Sequence, residues 1–197
     1  MRTPSLDHRS PWVIDTRSVG RRPGSLKTLQ LELPVDEKVG TEVIAVVKGE
    51  IIDADLRLES VVEGVLVSGT ASAVADGECA RCLREVSLDL DVDLRELYAY
   101  PGSATAETTD EDELPRVQDD LIDIEPLIRD EITLALPLVP LCRPDCAGLC
   151  VECGERLDDL EQGHAHAIMD ARWAALAEKF GSDGPVEPGS PGPSAES

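Results

Sequence analysis

Residues 142–167 read CRPDCAGLCVECGERLDDLEQGHAHA and carry four of the chain's six cysteines and two of its three histidines. The spacing is C-x3-C-x3-C-x2-C, then ten residues, then H-x-H. Thiolate and imidazole are the ligands that zinc prefers, and two of them a short turn apart reach one ion. Cys150-Val-Glu-Cys153-Gly154 is such a knuckle, with the glycine relieving the bend behind the second sulfur. His164 and His166 supply the next pair from a connection closed by Gly163. By composition this is a metal site.

Other uses of clustered cysteines fit less well. A disulfide framework needs an oxidising compartment, and the opening MRTPSLDHRSPWVID holds no apolar stretch of the kind that directs secretion. A redox C-x2-C does not require histidines downstream. Lone core cysteines would not cluster. Cys146, Cys150 and Cys153 do spell C-x3-C-x2-C, the cluster-binding spacing of radical-SAM enzymes. Those enzymes build a large barrel after the motif, and only 44 residues follow Cys153.

About sixty residues upstream of Cys142, the segment Gly77-Glu78-Cys79-Ala80-Arg81-Cys82-Leu83 adds a further C-x2-C. It lies between two strand patterns, so a hairpin tip would aim both sulfurs the same way. Six cysteines with His164 and His166 make eight candidate ligands, enough for about two four-coordinate zinc sites. The simplest partition joins Cys79, Cys82, Cys142 and Cys146 in one site and Cys150, Cys153, His164 and His166 in the other. In the swapped arrangement, Cys142 and Cys146 join Cys150 and Cys153. Either way the metal is structural, and its binding becomes part of the folding free energy.

The strand patterns flank that tip. Leu29, Leu31, Leu33 and Val35 alternate with Gln30 and Glu32, and Val43 to Val47 is a β-branched run. Ile52, Ala54, Leu56 and Leu58 alternate with Asp53, Asp55 and Arg57. Val65, Val67, Ala71 and Ala73 form another strand, with Gly64 and Gly69 expected as a bend or bulge. Val86, Leu88, Leu90, Val92 and Leu94, separated by Ser87, Asp89, Asp91 and Asp93, give the clearest period of two. Further on, Asp123 is placed to cap a helix with the face Ile124, Leu127, Ile128, Ile132 and Ala135, which Pro137 and Pro140 end. A last helix is expected over residues 168–180, with Met169, Trp173, Leu176 and Phe180 on one stripe.

The expected fold is therefore α+β: an antiparallel β meander or open barrel, followed by a helix, a Cys/His zinc knuckle and a C-terminal helix. Residues 1–11 are expected to be disordered and 12–100 β-rich. Residues 101–120 form an acidic loop. Residues 121–180 hold the helix, knuckle and helix packed on the same domain, and 181–197 a disordered tail. Aromatic residues are only 3% of the 197, so the core must come from Val, Leu, Ile and Ala. No segment approaches the unbroken apolar run of a membrane helix, and the expectation is a soluble, cytoplasmic protein.

The net charge of −22 disfavours nonspecific nucleic-acid binding, yet it is unevenly placed. Residues 1–28 carry six Lys or Arg against two Asp. Within them, Gly20-Arg21-Arg22-Pro23-Gly24-Ser25 is a stiff turn presenting two guanidinium groups. These, with Arg17, either grip phosphate or a carboxylate of a partner, or pair with the protein's own acidic surface, and the second reading stands ahead. Nothing points to catalysis. Closed Cys-rich sites leave no position for water. No His is followed two residues on by Glu, and there is no Walker loop, G-x-G-x-x-G or G-x-S-x-G. No small-molecule substrate is expected.

Three passages carry a resemblance: Cys79-Ala-Arg-Cys82-Leu83; Ile132-Thr-Leu-Ala-Leu-Pro-Leu-Val-Pro-Leu-Cys142; and Cys146-Ala-Gly-Leu-Cys150 leading to Cys153-Gly. Together they resemble the YceD family, bacterial proteins linked to accumulation of large-subunit ribosomal RNA, with plastid relatives. Asp15-Thr-Arg17 with Gly20-Arg-Arg-Pro-Gly-Ser25 is similar to the actinobacterial branch. The resemblance spans roughly residues 12–180. It implies a role in 23S ribosomal RNA processing or large-subunit assembly, with an rRNA precursor or a large-subunit ribosomal protein as partner. Where many relatives end the knuckle with C-x-C, this chain has His164-Ala-His166, which also ligates zinc but removes two thiolates. A redox-sensing zinc chaperone and a zinc-ribbon interaction module are the alternatives.

Overall fold

Period-two alternation becomes antiparallel pairing along most of the first hundred residues. The computed structural model describes residues 6–109 and 114–166. The helix expected over 168–180 and the tail 181–197 lie outside them, as do residues 1–5 and 110–113. In chain order the elements are β1 (Val13–Asp15), β2 (Leu26–Pro34), β3 (Val39–Gly40), β4 (Ile44–Val46) and β5 (Ile51–Ser60). There follow β6 (Gly64–Glu78), β7 (Glu85–Ala99), α1 (Ala104–Thr108), β8 (Leu121–Asp123) and α2 (Glu125–Ala135). Two compact units divide the chain, 1–149 and 150–197. The α+β class expected from the sequence is the one found.

Strand β6 is the spine of a six-stranded antiparallel sheet. Along one edge it pairs with β7 over its full length, from Gly64↔Ala99 to Glu78↔Glu85. Its other edge is shared: residues 65–72 pair with β5, and Asp76 and Gly77 pair with β4. β2 adds to β5, and β3 to β4. Among the described residues no pairing joins β2 or β3 to β7, so the sheet stays open. No bulge occurs at Gly69, which sits in unbroken register between Leu56 and Leu94. Its glycine gives clearance instead, since a Cβ there would lie 2.0 Å from the Asp55 carbonyl oxygen.

One face of the sheet is buried, with Ile52, Ala54, Leu56 and Leu58 of β5 beside Val65, Val67, Ala71 and Ala73 of β6. The other carries Asp53, Asp55, Asp89, Asp91 and Asp93 into solvent. Helix α2 covers the buried face through Leu127, Ile128 and Ile132 and contacts β7 and β3. It starts one residue later than a cap at Asp123 would give. Ile124 holds the N-cap position, while Asp123 Oδ1 accepts the Glu125 N–H at 3.0 Å. At the other end Ala135 is exposed and Leu136 takes its place in the core, because the backbone turns extended before Pro137.

A two-stranded ribbon, β1 with β8, closes the unit's other end. Asp119 and Asp120 both take positive φ, 51° and 62°, and link Gln118 to Leu121 as a tight hairpin. The Asp120 carbonyl accepts both the Thr16 N–H and its hydroxyl, at 2.9 and 2.8 Å. Part of the acidic stretch is also ordered, since Ser103 caps α1 by accepting the Ala106 N–H at 3.2 Å.

Candidate metal centres

Pairing with β5 ends at Ser72, but the β6–β7 hairpin runs about six residues further, an overshoot of roughly 20 Å. Cys79 and Cys82 sit at its tip. The tip is a tight loop in which the Cys79 N–H donates to the Arg84 carbonyl at 2.8 Å and the Leu83 N–H to the Cys79 carbonyl at 2.9 Å. The segment after α2 comes back to meet it: the Ala80 N–H donates to the Pro140 carbonyl at 2.8 Å. Arg81 then reaches the Cys146 carbonyl at 2.9 Å. Gly148, at φ 85°, passes so close that a Cβ would lie 3.3 Å from the Arg81 carbonyl oxygen.

These contacts bring Cys79, Cys82, Cys142 and Cys146 together, with all four sulfurs within 4.8 Å of one another. Cys79 and Cys146 are 3.8 Å apart at sulfur, and Cys82 and Cys142 3.6 Å. Such separations are far too long for a disulfide. They match the ~3.8 Å edge that four thiolates make around a tetrahedral ion with metal–sulfur bonds of about 2.3 Å. Cys79, Cys82 and Cys146 are buried and Cys142 half-buried, among Val86, Leu141 and Leu149.

Burial and backbone donors divide the four thiols. The Cys142 N–H, with those of Arg81 and Cys82, holds Cys79 down to about 6. Loss of water pushes Cys142 up to about 12 and raises Cys146 as well. Four adjacent thiols, three of them buried, cannot all ionise alone, and a divalent cation reverses that balance. The donor set thus suits a soft metal in a closed, dry site.

The second unit carries the other group. Cys150, Cys153, His164 and His166 also lie with their ligand atoms within 4.8 Å of one another. Its knuckle is closed by the Gly154 N–H donating to the Cys150 carbonyl at 2.9 Å, with Gly154 at φ 74°. Cys153 Sγ is 3.6 Å from His164 Nε2, and the two imidazole Nε2 atoms are 2.8 Å apart. The Cys153 and Glu152 N–H groups hold the Cys150 thiol down to about 6. Cys153, His164 and His166 are exposed, in contrast to the first group. The grouping is the simpler of the two partitions, not the swapped one.

Two of the three candidate arginines of the N-terminal arm, Arg17 and Arg21, are paired with carboxylates of the protein itself. Arg17 Nε donates to both Asp15 oxygens at 2.9 and 3.0 Å, and this holds the Asp15 carboxyl down to about 2. Arg21 pairs with Asp120 at 2.9 Å and stands 5.2 Å over the Tyr100 ring. Arg22 is exposed. Missed in the sequence were Arg81, which ties the tip to Cys146, and Gly148, which lets the chain pass it. The signal for both was present in C-A-R-C and A-G-L-C, but only the meeting of the two segments gives it meaning.

The model of the large ribosomal RNA subunit accumulation proteins, YceD, matches residues 67–178, which include all eight candidate ligands. The chain is 50% identical to an uncharacterized protein of Mycobacterium tuberculosis over 88% of its length and 84% of that protein's. A Mycobacterium leprae relative, also uncharacterized, is 45% identical over 89% of this chain and 81% of its own. A Bacillus subtilis protein is 26% identical over 53% of this chain and 60% of its own. No solved structure matches. The arrangement defines a sheet-based, cysteine-centred class of protein. Within it, this chain belongs to the YceD family.

Proposed function

We propose that the protein is a non-catalytic factor in maturation of the large ribosomal subunit, acting in the cytoplasm, with a fold stapled by two structural zinc ions. The observation that carries the zinc reading is the four-sulfur group, whose separations of 3.6 and 3.8 Å suit a closed tetrahedral site. Cys79, Cys82, Cys142 and Cys146 would hold one ion; Cys150, Cys153, His164 and His166 the other. Bound there, zinc supplies no reaction. It fixes how the β6–β7 tip meets the segment leaving α2. The family description supports the ribosomal setting.

The partner is a 23S rRNA precursor or a large-subunit ribosomal protein. A net charge of −22 favours the protein over the RNA, and the pairing of Arg17 and Arg21 with Asp15 and Asp120 reduces the arm's positive field. Arg22 is the foremost of the three arginines for RNA contact. Among the described residues no helix is long and apolar enough to cross a membrane. The test is to deplete the protein in its host and follow 23S against 16S rRNA. The reading expects loss of mature 23S rRNA, restored by the wild-type chain and not by Cys79→Ser. Unchanged 23S rRNA refutes it.

A further inference from the structure

The hairpin tip that carries Cys79 also flanks a groove of about 340 Å³ on the first unit. Its walls offer apolar surface to solvent: Val43, Val47 and Leu83 are 47%, 39% and 56% exposed. Leu83 adopts φ 56°, a left-handed conformation in which a bulky side chain is an outlier. Glycine closes such a turn without strain, as Gly154 does at φ 74° directly after Cys153. Directly after Cys82 the chain holds an exposed leucine in the position where its other knuckle uses glycine. Backbone strain of this kind clusters at functional sites, ligand clamps among them.

The groove's rim is acidic. Asp76 and Glu78 line it, and Glu78 faces Glu85 directly across the β6–β7 pair. All three are exposed. Like charges directly opposite on neighbouring strands are unfavourable, and a cation laid between them relieves the cost. Lys38, also on the groove, is already paired with Glu42 at 2.8 Å.

We propose that this groove docks a basic polypeptide segment. One apolar side chain seats against Val43, Val47 and Leu83, and flanking Lys or Arg side chains meet Asp76, Glu78 and Glu85. Charge complementarity selects this occupant. A phosphate backbone would meet three carboxylates, and a second copy of a chain with net charge −22 would add to the repulsion. The inference rests on the ribosome-maturation reading and deepens it, since it names a basic protein as the class of partner.

The experiment places a photoreactive benzoylphenylalanine at position 83 of the full chain in the native host, and at Val62, which is 77% exposed, as control. The crosslinked peptide is identified by mass spectrometry. Expected is attachment at position 83, and not at 62, to an apolar residue within a Lys- or Arg-rich segment of another protein. The yield falls about tenfold when Asp76→Asn and Glu78→Gln are combined. Crosslinks to RNA alone, to a second copy alone, or in equal yield at both positions overturn the proposal.

A second arm uses Leu83→Gly, which suits the left-handed turn. Metal content and melting confirm that it folds, and its cosedimentation with large-subunit precursors is expected to drop about tenfold. If the wild type cosediments and this variant does so equally, the groove is refuted and the ribosomal reading stands. If the wild type does not cosediment yet crosslinks through position 83 to a basic segment, the ribosomal reading fails and the groove stands.

Discussion

Replacing one cysteine in each group separates their contributions, and the sizes follow from chain connectivity. The first group joins Cys82 to Cys142 across 60 residues. A metal clamping a loop of that length, in place of a covalent bond, would remove about 4 kcal/mol of unfolded-state entropy in the cross-link model. Against a typical domain stability of about 5–15 kcal/mol, that is a large share. Cys79→Ser should therefore lower the melting temperature of the sheet by about 8–16 °C and cut bound zinc from two ions to one. Cys150→Ser removes one ion as well, but its group lies wholly in the second unit. The sheet's melting should then move by less than about 3 °C. Circular dichroism in the β region, followed with temperature beside elemental analysis of protein purified without chelator, reads both quantities. Retention of two ions by Cys79→Ser, or equal melting shifts in the two variants, refutes the assignment of separate sites and the stapling role.

Four smaller predictions accompany it. The second group is more exposed than the first, so peroxide or a chelator should release one ion per chain quickly and the other slowly; a colorimetric zinc-release trace with a single phase counts against it. Asp15 titrates near 2 because Arg17 binds its carboxylate, so its contribution to stability is present above the ordinary carboxylate range and is lost as pH falls through about 2. Carbon-detected NMR should show that midpoint, and Arg17→Ala should raise it only part of the way to the ordinary carboxylate range, because the N–H of residue 17 still donates to Asp15 Oδ1 at 2.9 Å. Gly69→Ala should cost on the order of 4 kcal/mol by urea denaturation, since its Cβ would lie 2.0 Å from the Asp55 carbonyl. Leu83→Gly should change stability by no more than about 1 kcal/mol, because relief of the left-handed strain offsets glycine's extra unfolded entropy; a loss of more than about 2 kcal/mol in the same urea assay shows that the leucine holds the tip.

Much of the sheet was legible because alternation is a local property. Ile52 to Leu58 and Val86 to Leu94 announce their buried faces with no knowledge of their neighbours. Shorter elements were not. β1 and β8 have three residues each, too few for any period, and they exist because Trp12, Ile14 and Ile122 are buried together in the core. Gly69 suggested a bulge because glycine in a strand signals either an inserted residue or close backbone approach, and only the register between β5 and β7 distinguishes them. Ala135 was placed in the core by helical period, but the turn before Pro137 ended the helix and put Leu136 there instead.

The residues themselves determined which side chains could hold a metal, that they come as paired half-sites, and that the body is an acidic sheet with an apolar face. These are matters of chemistry and short-range spacing. Which half-sites meet was decided in three dimensions. The overshoot of β6 and β7, together with the return of the chain after α2, sets Cys79 and Cys82 against Cys142 and Cys146 rather than leaving them to other partners. The fate of the arm's arginines was decided there too, because Asp120 lies 99 residues from Arg21 and a tight hairpin delivers it. Contacts across such distances depend on strand length and turn geometry summed over the whole sheet, and no local pattern encodes that sum.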